Sequence, residues 1–502
     1  MGKIKSAIIT ALLVAAILVL AFFSLFSWNV PGSNGVKRYN SFISSIHMGG
    51  DLTGEASAVL YPEGVLSAEK YTSGIPDDET KREEYIASYE GFGSVYVEKE
   101  VLEDGEQAFK DKVSKDAEIL SARFGEKGYS SYSVAVQDDF TIKVTVPTNF
   151  TYAEYAHPEN SGNINSPSDE TTAITRTVRY LSYGGELTLR NSETGKPGYS
   201  YTLTNPKVNV TDLIKSVSKI SRSGTSAVKI KLTDLGKTEF ASFTPAIVEA
   251  SEKTIGFYVG ENQLVALTIE EAITSKTFYI SVGDDSSLAQ DYAITLASVA
   301  SGNALSFNYN PDDDIDIVYL TPTLGSNAAI YLGVILLLVV VGAIVFSIVR
   351  YKKLGLVNTI MIAIYSLAII VAMLLIEIQL TVAVAFAAVL GLALTCGANF
   401  ALFEAVRKET KKGKTMQSAI KSGYKSTLTA ILDMHIILII VSLMIALICK
   451  GELAACGLVF FIASIASYIL YWFTRFMWFV ISSPVKDKFK FCGFKREVPL
   501  DE

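Results

Sequence analysis

Residues 380 to 403, LTVAVAFAAVLGLALTCGANFALF, stay apolar for about the length a helix needs to cross a bilayer core, roughly 20 residues. Asn399 lies inside this run, and at Glu404 the chain breaks into a basic segment. A second apolar run, residues 427 to 449, contains Asp433 and His435. Ionisable side chains at membrane depth are expensive, so by default they mark candidates for function. The rest of the sequence reads as a large outer domain delivered to this helix pair.

The same pattern recurs along the chain. Lys3 and Lys5 precede an apolar stretch over residues 7–28. It exceeds the about 7–15 apolar residues of a signal peptide and ends in Phe-Ser-Trp, so an uncleaved first span is expected, with Trp28 at the interface. Further runs cover 328–349, 354–378 and a last one to about 481. Six spans with both ends inside put nearly all membrane-flanking cations on the cytoplasmic side: Lys3, Lys5, Arg350, Lys352, Lys353, Arg407 to Lys425 and Lys486 to Arg496. The expected organisation is a first helix over 1–29, an extracytoplasmic domain over 30–327, five more helices over 328–482 and a cytoplasmic tail over 483–502.

Charge supports this division. Residues 30–327 hold 25 Lys and Arg against 42 Asp and Glu, whereas the remainder holds 19 against 9. An acidic outer part with basic membrane flanks argues against nucleic acid as a partner. Cys396, Cys449, Cys456 and Cys492 all lie in or after the membrane runs, so no disulfide staples the outer domain. His47, His157 and His435 are too scattered for a metal site, and no cofactor is expected.

Within the outer part, alternating patterns predict strands at 141–147, 185–191, 226–233, 277–283 and 304–310. Helical patterns occupy 105–128, 235–251 and 285–302, and polar stretches at 72–84 and 158–172 read as exposed loops. The pattern predicts α+β units with antiparallel sheets covered on one face. Enzyme motifs are not met. Gly413-Lys414-Thr415 and Gly236-Lys237-Thr238 lack the earlier glycine of a phosphate-binding loop, and no Gly-x-Ser-x-Gly elbow exists. The acidic runs Asp138-Asp139 and Asp312-Asp313-Asp314 read as turns.

GGDLTGEASAVLYP (49–62) resembles the GLDLxGG opening of the SecD family, with Gly50 and Glu55 at two motif positions. LTDLGKTEFASFT (232–244), LASVASGNALSF (296–307) and TPTLG (321–325) resemble further family motifs in the same order. So do the run from Leu380 to Glu409, ILDMHI (431–436) and the closing Thr474-Arg475. The resemblance covers essentially the whole chain and includes Gly49, Asp51, Leu52, Gly54, Thr321, Pro322, Thr323, Leu324, Gly325, Glu404 and Arg475. It implies a multi-pass helical membrane protein of the resistance-nodulation-division superfamily with a ferredoxin-like extracytoplasmic domain. That domain would have a base at about 38–206 and 306–325 and a head at about 207–305.

The resemblance also implies a mechanical, non-enzymatic role in the bacterial plasma membrane. With SecF, the proton or sodium motive force would drive late, SecA-independent passage of an unfolded preprotein through the SecYEG channel. The ion-coupling candidates are Asp433, Asn399 and His435. The family's fourth-span Asp-Ala-Asn stands here as Gly397-Ala398-Asn399, so the acid is missing, and Asp433 is the remaining membrane carboxyl. His435 is about 200° around the helix from Asp433, which leaves it as a packing group or a separate proton carrier. The alternatives are a non-conducting scaffold that holds unfolded peptide, or a small-molecule exporter of the same superfamily. The single outer domain and the TPTLG signature count against the exporter.

Overall fold

The computed structural model describes residues 3–29, 41–129, 131–148, 167–190, 209–222, 225–249, 253–283, 285–309 and 327–482. The short pieces 38–39, 315, 317–322 and 324–325 are also described. In chain order the main elements begin with α1 (Lys3–Leu25), α2 (Gly50–Thr53), β1 (Glu55–Leu60), β2 (Val65–Ser67), α3 (Ala68–Ser73) and α4 (Glu79–Ser88). There follow β3 (Tyr89–Phe92), β4 (Val95–Glu98), α5 (Glu106–Glu126), β5 (Ser133–Val136), β6 (Ile142–Pro147), α6 (Pro167–Leu181) and β7 (Leu187–Arg190). Next come β8 (Ile214–Arg222), β9 (Thr225–Leu232), α7 (Asp234–Val248), β10 (Thr254–Val259), β11 (Asn262–Thr268), β12 (Thr277–Gly283), α8 (Ser286–Ala300) and β13 (Ile317–Leu320). Five long helices close the chain: α9 (Ala328–Tyr351), α10 (Lys353–Ile376), α11 (Val382–Lys411), α12 (Met416–Ile448) and α13 (Gly451–Ser482). Two compact units result, one of residues 1–53 with 322–502 and the other of residues 54–321.

The first unit is helical. Among the described residues, five helices, α9 to α13, are long and apolar enough to cross a membrane. The expected first span corresponds to α1, a helix of 23 residues whose apolar described stretch is Ala15–Leu25. Side chains from α10, α11 and α13 form the core, including Val357, Met361, Leu402, Phe403, Tyr471 and Trp478. Helices gain no hydrophobic drive from lipid, so close backbone approach at small residues must hold them together. Gly391 provides it: a Cβ there would fall 2.2 Å from the Tyr365 hydroxyl and 2.5 Å from Ala463 Cβ. Tyr365 uses that proximity to donate to Ala388 O at 2.7 Å, tying α10 to α11.

The second unit is α+β, and its ladders are antiparallel. A four-stranded sheet runs β13-β1-β6-β5, and three-stranded sheets run β8-β9-β12, β11-β10-β7 and β2-β4-β3. Alternation along β1 and β6 turns Ala56, Ala58, Leu60, Ile142, Val144 and Val146 inward, where Val113, Leu120 and Phe124 of α5 complete a core. A second core gathers Val228, Ile230, Phe240, Phe257 and Phe278, and α8 supplies Leu296 to it and Ile294 to the first.

Buried polar side chains lock these layers. Arg123 on α5 donates to Leu181 O (2.7 Å), Tyr183 O (3.0 Å), Asn303 O (3.2 Å) and Ser298 Oγ (3.0 Å). One turn on, Lys127 Nζ lies 2.5 Å from Asp291 Oδ1, and Thr177 donates to the other oxygen at 2.9 Å. Burial pulls Arg123 down to about 10 against the opposing influence of Asp116.

Three sequence expectations change, the first within the loop expected at 158–172, where residues 167–172 open α6 and 158–166 lie outside the described residues. Of the strand expected at 304–310, the described residues 304–309 form none, apart from an isolated bridge between Pro62 and Tyr309. Asp116 instead accepts from Ser306 N (2.8 and 2.9 Å) and Phe307 N (3.2 Å), together with the Tyr309 hydroxyl (3.0 Å), so those donors are not free for a ladder. The stretch 72–84, expected as loop, includes the end of α3 and the start of α4, which Asp78 initiates by accepting from Lys81 N at 3.1 Å.

Candidate ion-coupling site

Asn399 is fully buried in the first unit and joins three helices. Its Nδ2 donates to Asn358 Oδ1 on α10 at 2.7 Å, and its Oδ1 accepts from Thr474 Oγ1 on α13 at 2.7 Å. Asn358 Nδ2 then donates to Ser347 Oγ on α9 at 2.8 Å, and Ser347 donates to Ala343 O at 2.6 Å. The chain of donors and acceptors is complete, and the one ionisable side chain it touches is the buried thiol of Cys396, 3.6 Å from Asn358 Nδ2. In hydrocarbon such a chain fixes helix rotation, because turning one helix orphans two partners. Asn358 and Ser347 were not among the sequence candidates, and Thr474 entered only through the closing Thr474-Arg475 motif. Their signal was a polar residue within an apolar run, the same signal that exposed Asn399.

The two candidates on α12 part company. His435 is buried, with Nδ1 2.8 Å from Ile431 O and Nε2 3.0 Å from Ser467 Oγ. A carbonyl can only accept, so Nδ1 carries a proton and Nε2 can accept from the serine, the pattern of a neutral imidazole. Asp433 instead lies exposed on the outward face of α12. The helical offset that sends His435 inward sends Asp433 outward. Gly397, at the position of the family's acid, is also exposed, and a Cβ there would meet nothing within 4 Å.

At one end of α11 the family-motif residues form a clasp. Leu380 N donates to His47 O (2.7 Å), Gly49 N to Leu380 O (2.8 Å) and Val382 N to Asp51 Oδ2 (2.7 Å). Thr381 caps the same helix by accepting from Val384 N at 3.2 Å. Leu52 is buried beside this clasp, and Gly54 takes the positive φ of 115° that starts the turn into β1. Asp51 Oδ1 is buried with no hydrogen-bond partner. Burial holds this carboxyl above its ordinary range, Glu452 adds to the effect, and the Val382 N–H opposes it.

At the other end Glu404 accepts from Arg350 at 2.8 Å and lies 3.7 Å from Arg407. Arg475 stacks over the Tyr424 ring at 4.9 Å rather than pairing with a carboxylate. Pro322, Leu324 and Gly325 form a turn in which Gly325 N donates to Pro322 O (3.0 Å) and Ala328 N to Gly325 O (3.0 Å), leading into α9. Thr321 is exposed just before it, and Thr323 lies outside the described residues. Among the described residues no group of three His, Cys, Asp or Glu side chains could hold a metal ion.

These features define a polytopic helical membrane protein that carries a sheet-containing domain. No family model matches the chain. It is 26% identical over 225 residues to the protein translocase subunit SecD of Acidaminococcus fermentans, covering 45% of this chain and 52% of that one. It is 25% identical over 273 residues to the SecD of Aquifex aeolicus, covering 53% and 50%. Its fold matches a crystal structure of SecDF in a super-membrane-facing form with a TM-score of 0.52 and 18% identity, over 94% of this chain and 57% of that one. The chain is thus similar to SecD subunits of the protein translocase in sequence and to SecDF in fold. Its matches span about half the length of these curated relatives.

Proposed function

We propose that this chain is a SecD-type subunit of the protein-export machinery in a bacterial plasma membrane, working with SecF beside the SecYEG channel. An ion gradient drives it to complete preprotein passage after SecA has acted. In this reading α1 is a sixth span, both termini are cytoplasmic, and the outer domain is ferredoxin-like. An exposed sheet edge there can add an extended client strand with little regard for sequence.

The observation that carries the reading is the outward placement of Asp433. A carboxyl left in lipid is costly, so a companion helix must cover it. One charge crossing 100 mV supplies about 2.3 kcal/mol, enough to shift two packings separated by a few kcal/mol. The clasp of His47, Gly49 and Asp51 on α11 gives such a shift a path into the segment that continues as β1.

A second reading, a non-conducting scaffold that holds emerging polypeptide, is favoured by Gly397 and by the fully paired Asn399 network. Secretion of a reporter in cells depending on this chain separates the two. Asp433→Asn should slow export, and collapsing the gradient should then add nothing. An export rate unchanged by the substitution leaves the scaffold.

A further inference from the structure

The basic ends of α11 and α12 enclose a cleft of about 700 Å³. Ala401, Ser426 and Thr427 line it where the two apolar runs meet the polar segment, and Lys408, Lys411 and Lys412 line it beyond. Two carboxylates also face it, but both are engaged. Glu404 is held by Arg350 and Arg407, and Glu409 by Lys412 (2.6 Å), by Lys414 and by the Ser422 hydroxyl (2.9 Å). Lys408 is exposed and has no hydrogen-bond or ion-pair partner among the described residues. Lys421 and Lys425 add to the excess of positive charge on the following turn of α12.

Above the cleft the outward face of α11 is apolar, with Ala393, Leu390 and Phe386 exposed, whereas α12 turns the exposed Asp433 outward before it reaches Ile437, Ile440 and Met444. A cationic cavity at the boundary of the hydrocarbon, continued by an apolar wall, matches a ligand with an anionic head and acyl chains. A soluble phosphate would use the head site alone. We infer that this cleft is a binding site for the phosphate headgroup of an anionic phospholipid, with Lys408 as its principal contact. The inference rests on the membrane orientation proposed above only for which leaflet supplies the lipid.

The test is lipid retention by the full-length chain, read by native mass spectrometry with phosphatidylglycerol or phosphatidylcholine of matched acyl chains. Phosphatidylglycerol should be held in preference. Lys408→Gln should weaken it about fivefold, and Lys408→Gln with Lys411→Gln about 25-fold, at roughly one surface-lysine interaction each. Ala401→Phe, which fills the cleft and removes no charge, should also release it. Inorganic phosphate at millimolar concentration should not displace it. Equal retention of the two lipids, or retention unchanged in both the lysine and Ala401→Phe variants, overturns the site. Displacement by inorganic phosphate alone overturns the lipid assignment and leaves a soluble-anion site. Because export drops out of this readout, failure here is distinguishable from failure of the translocase reading.

Discussion

Asp51 Oδ2 accepts a 2.7 Å hydrogen bond from Val382 N, joining residues 331 positions apart in sequence at the first turn of α11. A helix start carries unpaired N–H groups and the positive end of its dipole, so an anionic oxygen there is well placed. The partner oxygen Oδ1 is buried and unpaired, which opposes ionisation. One carboxyl is thus pulled both ways, and burial has the larger effect.

That balance has a pH signature. A folded-state value above the ordinary one means the folded chain binds this proton more readily than the unfolded chain does. Stability contributed at Asp51 is therefore present below the ordinary carboxyl value and falls as pH rises through the raised one. Asp51→Asn should remove this fall. Thermal midpoints of the purified chain across about pH 4 to 7 should slope less than in the parent, and an unaltered slope would refute the assignment.

Asn399→Leu should destabilise the helical unit by about 1–2 kcal/mol, because it orphans Asn358 Oδ1 and removes the acceptor of Thr474. Unfolding in mixed detergent micelles would measure it. A cost indistinguishable from zero would mean that water or lipid replaces both partners.

Gly397→Leu gives the opposite pattern. The chain has room for the new side chain, since a Cβ at Gly397 touches nothing within 4 Å, so its own thermal midpoint should hold or rise slightly. Co-purification with SecF should drop if a companion helix packs there. Loss of stability in the chain alone, with association intact, would contradict the outward placement.

In the α+β unit the Lys127–Asp291 pair is almost wholly buried, with side-chain exposures of 7% and 0%. Burial lowers Lys127 and raises Asp291, and each partner offsets the other's shift. Lys127→Met should cost about 3–5 kcal/mol by stranding Asp291, whereas Lys127→Met with Asp291→Leu should recover most of it. Thermal unfolding of the full chain decides this. A double variant no better than the single one would show that the hydroxyls of Thr177 and of Ser287, which accepts from Lys127 Nζ at 2.8 Å, hold this joint rather than the charge pair.

Much of the fold was legible because its periodicities are local. Apolar runs announced α9 to α13, and alternating residues announced β6, β7, β9 and β12 within a few positions. The residues 304–310 alternate equally well, yet Asp116, nearly two hundred positions earlier, takes their N–H groups. Four polar residues legible in their own runs, Ser347, Asn358, Asn399 and Thr474, gave no hint that they form one chain.

The sequence by itself determined that the chain enters a membrane, that residues 30–327 are acidic and α+β in pattern, and that Asp433 and His435 point to different sides of their helix. Each of these depends on spacing along one element. Only the tertiary structure decided which side was inside: His435 and Asn399 find partners on neighbouring helices, while Asp433 and Gly397 are left on the surface. A helix's own periodicity specifies relative direction around its axis, and only packing against other helices turns direction into burial.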